Sequence, residues 1–514
     1  MKTNSTLAWQ AYEIGKEYKR RLGLYETVRR NERFYRGDQW ANTHTDLPRP
    51  VFNLVRRITD YLVCSVIPGD VSIRYTDDRL PFVDNAQMRA QITDGIEILN
   101  HNAAYRWKRG NMKALSQKAL LDAAISGDAV FYCWWNSDHA GGQPFLGDIR
   151  TDLISNTDLF VADVTCTDLQ SQEFILLAGR ASVGSLRREA RENHCSEDAI
   201  RSIVADDATD CLSSDSAAYE QSTSEKATYL LRFFRENGKV IFEKSTKNCL
   251  IKRVCTDLRY YPVAYFNWHP VKGSFHGSAP VSDMIANQKY INTAYSMAMK
   301  HMYDTAFSKV IYDKSRIPEW SNEVGEAIAA VGGGNVADAV SVVGTGQMHE
   351  GYLSLIDSVI ENTKSMMGAT EAALGDAQAH NTSAILTLQQ ASRIALQQVS
   401  ADFCRCISDL ATIWADMLCT YCHPEQLLQA ESEGQIRVRR PNYALLKHEL
   451  LHASAEAKRV DSYTPAVTIS ILDRLLERKI IQPEDYVELL PSGSVGDPTA
   501  LLSKIRKKGP VNDE

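Results

Sequence analysis

The densest helical periodicity of the chain lies between Gly277 and Tyr421. A segment opening at Pro280, PVSDMIANQKYINTAYSMAMKHMYDTA, repeats Met284, Ile291, Tyr295, Ala298 and Met302 at spacings of three, four and seven, one apolar stripe of a helix. Proline is tolerated in a first turn, where its missing N–H has no intrahelical partner, and Asp283 suits the positive end of the helix dipole. A compact stretch bounded by glycines follows, roughly residues 307–351, and YLSLIDSVIENTKSMM then returns to a helical pattern that breaks at Gly368. After the small-residue stretch GATEAALGDAQAHNT, a second stripe runs through Ile385, Leu388, Ala395, Val399, Phe403, Cys406, Leu410, Trp414 and Met417, with Thr382 or Ser383 as cap. A helix of that extent spans roughly 55–60 Å. The pattern predicts two antiparallel helices carrying an insert at their tip, then a very long helix leaving at an angle.

Elsewhere the pattern alternates between classes. Residues 5–36 read as one helix dense in Arg and Lys, stopped at Gly37 and Asp38. A second helix lies between Pro50 and Pro68, then a short strand at 71–75, and two helices at 82–103 and 112–126 with Gly127 as C-cap. AVFYCWW, GDIRTDLISNTDLFVAD and EFILLAGRAS are β-branched and aromatic and read as strands, as do ATYLLRFFREN, KVIFEKS and YYPVAYFNWHP. Residues 185–204 read as a small helical piece, and 205–226 as an acidic, Ser-rich exposed loop. Within the insert, SKVIY predicts a strand and 326–331 a short helix; QIRVRRPNY predicts one strand, and helices follow at about 442–458 and 465–478.

Composition narrows the class. The chain has 514 residues, 44% hydrophobic and 24% charged, with no apolar run long enough for a membrane helix, so a soluble assembly of about three domains is expected. The start lacks an apolar signal core and leads to an expectation of a cytoplasmic protein. Eleven cysteines then read as reduced thiols. Cys404, Cys406, Cys419 and Cys422 do not make one zinc site, because the helix holds the two pairs about 22 Å apart. The net charge of −7 and pI near 6.0 argue against a protein that grips nucleic acid through phosphates, without excluding a surface that DNA slides past.

ERFYRGDQW, RPVFNLVRRITDYLV, LFVADVTCTDLQSQEFI, YYPVAYFNWHPVKGSFHGSAPVSDMIANQKYIN, TKSMMGATEAALGDAQAHNTSAILTLQQAS and LERKIIQPEDYVELLP, in this order, resemble the portal proteins of tailed bacteriophages. The pieces around Gln288–Asn292 and Thr363–Ser392 carry most of the resemblance. It implies an α+β, mostly helical portal fold that forms a ring, usually of twelve copies, at one capsid vertex of the virion, assembled in the host cytoplasm. The implied parts are a wing over 1–277, stem helices over 278–306 and 352–367, and an α/β clip over 307–351. A tunnel loop over 368–382, a long wing helix over 383–421, a wing strand region over 422–440 and a helical crown over 441–514 complete it. The implied partners are double-stranded DNA passing through the channel, the terminase large subunit, a head–tail adaptor, and the major capsid and scaffolding proteins. No cofactor and no membrane are expected. The 185–226 segment departs most from the portal pattern.

Within that frame Gly368, Glu371, Leu374, Gly375, Asp376, Gln378 and His380 are expected to line the narrowest point. From Glu350 to Asp376 five carboxylates face one lysine, a net charge of −4, so the loop approaches the duplex without gripping it, and its glycines let it change conformation. Lys289, Lys300, Glu361 and Lys364 are candidates for lining the stem. Trp40, Trp134, Trp135 and Trp268 are expected to pack rather than to stack on a ligand.

The rival reading is the HExxH of His448, Glu449 and His452, which on a helix would put two imidazoles on one face beside a general base, as in zinc proteases. No metzincin-type continuation supplies a third ligand, since positions 455 and 458 are Ala and Lys. The motif is therefore expected to be a chance match, with no metal. No GxxxxGK[ST], GxGxxG after a strand, or GxSxG is present, so the chain is expected not to be an enzyme, and energy for translocation must come from a separate ATPase. Another, shorter type of capsid connector or adaptor is the remaining alternative.

Overall fold

The computed structural model describes residues 4–40, 47–67, 69–77, 80–140, 146–206, 225–306, 310–321, 323, 327–342, 351–369, 394, 396–423, 428–432, 435–439, 441–448, 452–457, 465–478 and 481–490. Across these it is mixed α/β, about half helical, with no closed barrel, consistent with the expected α+β class.

The N-terminal helical run is two helices, α1 (Asn4–Leu22) and α2 (Leu24–Arg36), not one. Gly23 takes φ +69° and breaks it, a left-handed step that glycine makes without a Cβ clash. Helix α3 (Leu54–Val66), strand β1 (Val71–Thr76) and helices α4 (Ala86–Arg109) and α5 (Met112–Ser126) follow. The strands β2 (Asp128–Ala140), β3 (Leu146–Ile154) and β9 (Val263–Asn267) form an antiparallel sheet with β2 in the middle. A second antiparallel sheet runs in order through β4 (Leu159–Val161), β5 (Phe174–Ser182), β6 (Lys226–Glu236), β7 (Lys239–Ser245) and β8 (Leu250–Cys255). Between β5 and β6, α6 (Val183–Glu192) and α7 (Glu197–Arg201) pack on the end of that sheet with their own small core.

Helix α8 (Pro280–Ala306) leads into a small hairpin of β10 (Val310–Tyr312) and β11 (Val340–Val342), and α9 (Gly351–Met366) returns. The short helix expected at 326–331 is absent at 327–331; the glycines at 332 and 334, at φ +103° and +114°, favour a loop there, and a 3₁₀ turn follows at Val336–Ala339. Helix α10 (Gln397–Tyr421) crosses the first sheet, and its Phe403 meets Phe131 of β2 and Phe266 of β9 edge-on, at centroid distances of 6.3 and 5.1 Å. The expected stretch of this helix at 383–393 lies outside the described residues.

The strand expected at QIRVRR is β13 (Gln435–Arg439), and it has an unanticipated partner, β12 (Leu428–Ser432). The helix expected over 442–458 is overturned. Helix α11 (Tyr443–His448) is short, and β14 (His452–Ala457) pairs antiparallel with β1, from Val71 opposite Ala457 to Thr76 opposite His452. Helices α12 (Pro465–Glu477) and α13 (Pro483–Leu489) close the described chain. Among the described residues, no helix is long and apolar enough to cross a membrane.

The candidate channel stem and its base

Helices α8 and α9 are antiparallel neighbours. Asn287 near the start of α8 donates to Thr363 near the end of α9 at 3.0 Å, and Met297 further along α8 meets Tyr352 at the start of α9 at 3.5 Å. The hairpin β10–β11 sits at their far end. The helix–insert–helix order read from the sequence is therefore an antiparallel helix pair joined through a two-stranded antiparallel insert.

Buried amides fix the stem at its base. Gln288 is 1% exposed. Its Oε1 accepts from the backbone N–H groups of Leu54 and Val55 at 3.0 and 3.2 Å, so a side chain of α8 caps the first turn of α3, alongside Asn53, which accepts from Arg56 N. Its Nε2 donates to Phe52 O and to Asn292 Oδ1, both at 2.9 Å. Asn292 in turn donates to Gln39 Oε1 at 2.7 Å, and Gln39 donates to Phe34 O and Asn53 Oδ1. Ser296 Oγ donates to Pro48 O at 2.6 Å. The buried side chains among these satisfy one another, and an orphan there would be costly.

A second buried cluster holds the turn that starts the stem. The Asp128 carboxylate accepts from Gly277 N at 2.7 Å, Asn267 Nδ2 at 3.0 Å and Asn156 Nδ2 at 3.0 Å, and it faces His276 Nδ1 at 2.8 Å. Gly127 packs against Gly277 so closely that a Cβ there would stand 2.6 Å from the Gly277 carbonyl oxygen. Asp416 on α10 accepts from the N–H groups of Arg259 and Tyr260 at 2.7 and 3.3 Å, tying that helix to the loop before β9; burial raises its carboxyl above the ordinary range, against the pull of those N–H groups.

The candidate stem cations are engaged. The Lys289 amine lies 5.7 Å from the centroid of the Phe34 ring, Lys300 pairs with Asp304 at 2.9 Å, and Lys364 pairs with Glu361 at 2.6 Å. Of the expected tunnel loop, Gly368 and Ala369 are described: Gly368 takes φ +70°, and Ala369 N closes onto Lys364 O at 2.9 Å, a left-handed helix stop. Glu371, Leu374, Gly375, Asp376, Gln378 and His380 lie outside the described residues. Of the tryptophans, Trp268 is buried, Trp135 stands 5.7 Å from the Tyr421 ring, and the Trp40 and Trp134 indoles donate to Pro50 O and Asp152 Oδ2.

The HExxH geometry does not form. His448 ends α11 and His452 begins a strand opposite Thr76, so the two do not share a helical face; Glu449 lies outside the described residues. Among the described residues no three His, Cys, Asp or Glu side chains gather as a metal site.

The sequence reading missed Gln39, Asn53, Asp128, His276 and Asp416. The signal available for Gln288 and Asn292 was their spacing of four on the apolar side of α8, beside Met284, Ile285 and Ile291, where polar side chains are out of place unless paired.

Residues 252–444 match the model of the phage P22-like portal protein family. The match bears out the resemblance to phage portal proteins read from the sequence, and it spans α8, the hairpin tip, α9 and α10. No curated protein matches the chain.

Proposed function

We propose that this phage portal protein assembles into a ring at the unique capsid vertex, with α8 and α9 as the stem around a channel for double-stranded DNA. The match over 252–444 carries the reading, because it coincides with the helix–hairpin–helix stem and the helix that crosses behind it. The exposure of α9 supports a ring. Among its described residues only Ile356 and Thr363 are buried, while Leu353, Leu355 and Met366 are 45, 49 and 77% exposed. On the facing helix Met297, Met302 and Tyr303 are more than half exposed. An apolar helix pair of this kind buries its surface against neighbouring copies.

The charge of the stem fits passage rather than capture. Lys300 and Lys364 are neutralised by neighbours on their own helices, so they offer a sliding duplex little net attraction. The residues 371–380 form the constriction, twelve copies close the ring, the hairpin tip docks the terminase and later the head–tail adaptor, and capsid and scaffolding proteins surround the wing. Energy comes from the terminase ATPase.

Native mass spectrometry with negative-stain imaging tests the ring. A closed assembly of about a dozen chains with a central hole is expected; a monomer or dimer at the concentrations and in the presence of scaffold where portals assemble overturns it. Replacing 371–380 is expected to alter DNA packaging or retention, and unchanged packaging and retention overturn the constriction.

A further inference from the structure

The small core under α6 and α7 contains two cysteines from elements far apart in the chain. Cys195 sits in the turn between the helices, after His194 at φ +56°, and its N–H closes onto Ala190 O at 3.0 Å. Cys249 sits in the turn between β7 and β8, held by Thr246 N to Cys249 O at 2.8 Å, and is 1% exposed. The Cys195 thiol lies 3.5 Å from the carbonyl oxygens of Leu250 and Ile251, the two residues after Cys249. The Cys195 thiol therefore lies against the backbone that directly follows Cys249, and both cysteines belong to the small core that also holds Val183, Leu186, Ala190 and Ile251. Both are reduced.

We propose that Cys195 and Cys249 form an oxidation-sensitive latch, a modification site at which a peroxide converts the thiol pair to a disulfide that pins α6–α7 to the β7–β8 turn. The roles follow from exposure. Cys195 is half-buried and reachable by a small oxidant; Cys249 is enclosed, and burial pushes its thiol up to about 11, which leaves the first attack on an oxidant to Cys195. The Cys195 thiolate attacks one oxygen of hydrogen peroxide, the O–O bond breaks, hydroxide leaves, and Cys195 becomes a sulfenic acid. The Cys249 sulfur then attacks the Cys195 sulfur, the S–O bond breaks, and the Cys249 proton leaves with the oxygen as water. Two thiols and one peroxide thus give one disulfide and two waters.

The latch acts on the part of the chain that departs most from the portal pattern and lies outside the matched segment. At present α6 is tied to the sheet by apolar packing and by Lys244, whose amine is 2.7 Å from Glu189. The bond would close residues 195–249 into one covalent loop, which constrains the unfolded chain more than the folded one. The inference stands apart from the proposed ring, since it concerns a site within one chain.

The test is a non-reducing peptide map of the reduced full-length protein after treatment with hydrogen peroxide. Trypsin releases Cys195 in ENHCSEDAIR and Cys249 in NCLIK. The expected product is these two peptides linked, lighter by two hydrogens than their sum and separated by reductant. Hydrogen exchange over 183–203 is expected to slow about tenfold or more. Cys195→Ser and Cys249→Ser each abolish the linked product, and Cys422→Ser leaves it. If both peptides stay fully alkylated, or Cys195 is found joined to Cys211 or to another chain, the proposal fails, and because this readout is taken on the wild-type chain it does not depend on any variant folding.

Discussion

Replacing Gln288 by Leu keeps the volume and removes all four hydrogen bonds of a side chain that is 1% exposed. Left behind are the N–H group of Val55 and one face of Asn292, while the Leu54 N–H and the Phe52 carbonyl keep their bond to each other at 2.8 Å. Each buried polar group stranded this way costs about 1–3 kcal/mol, and the first turn of α3 relaxes toward water for some of them. The expected loss is about 2–4 kcal/mol, above the usual substitution. Lys300→Ala is the control: its pair with Asp304 is nearly half exposed on both sides and is worth about 0–1 kcal/mol. A chain of this size need not unfold in one step, so the sharper assay is site-resolved hydrogen exchange. The Val55 amide is expected to exchange at least about thirtyfold faster in Gln288→Leu, the factor that follows from about 2 kcal/mol, while Lys300→Ala leaves it unchanged. If the Val55 amide keeps its wild-type protection in Gln288→Leu, the view that α8 caps α3 is wrong.

Gly127→Ala forces a Cβ to within 2.6 Å of a backbone oxygen at a position with φ +97°, and is expected to cost at least about 2 kcal/mol, read as a lowered melting temperature; Gly238→Ala, at φ +76° with open space around it, costs about 1 kcal/mol, and equal losses would refute the role of the Gly127–Gly277 contact. The raised Asp416 carboxyl means that its contribution is fully present below about pH 4, where the unfolded group is protonated, and is lost as pH rises through the higher folded value. Asp416→Asn is therefore expected to gain on the wild type in denaturant midpoint from pH 4 upward, and a wild type that gains on the variant instead would reverse the sign. Met302→Glu with Leu353→Glu is expected to leave the monomer's melting temperature unchanged but to convert the proposed ring to monomers by native mass spectrometry; rings that persist would place the subunit contact elsewhere.

The stem was legible because its two helices obey a strong periodicity and are separated by glycine-bounded residues that cannot continue a helix. Its attachment was not. Gln288 and Asn292 look like tolerated polar positions on a stripe, and only the fold brings Gln39, Phe52 and Asn53 to them across more than two hundred residues. Strand β14 was misread because HELLHASAEAK carries good helix formers, and intrinsic propensity is weak against an available edge: β1 offers six residues to pair with, and the chain takes them. Strand β12 gave little signal, since LQAES is short and carries no β-branched or aromatic residue. Gly23 ended a helix inside a continuous pattern, which a left-handed glycine does without changing the hydrophobic period on either side.

The two ends of the stem are stabilised in different ways. From Pro280 to Ala298, helix α8 is anchored: apolar residues such as Val281, Met284 and Ile291 are buried, and Gln288, Asn292 and Ser296 are bonded to the α2–α3 region. Beyond Ala298 no described residue of α8 is buried, and the facing start of α9 is exposed as far as Leu355 apart from Tyr352. The anchored half depends on directional polar contacts within one chain, which hold an angle. The outer half offers non-directional apolar surface, which tolerates sliding of one packed helix past another. Under the proposed ring, the wing would therefore set the tilt of each stem while the contacts between stems adjust. Load applied at the hairpin tip would reach the wing through Gln288 and Asn292, the polar joint, before it disturbed the apolar core behind α10.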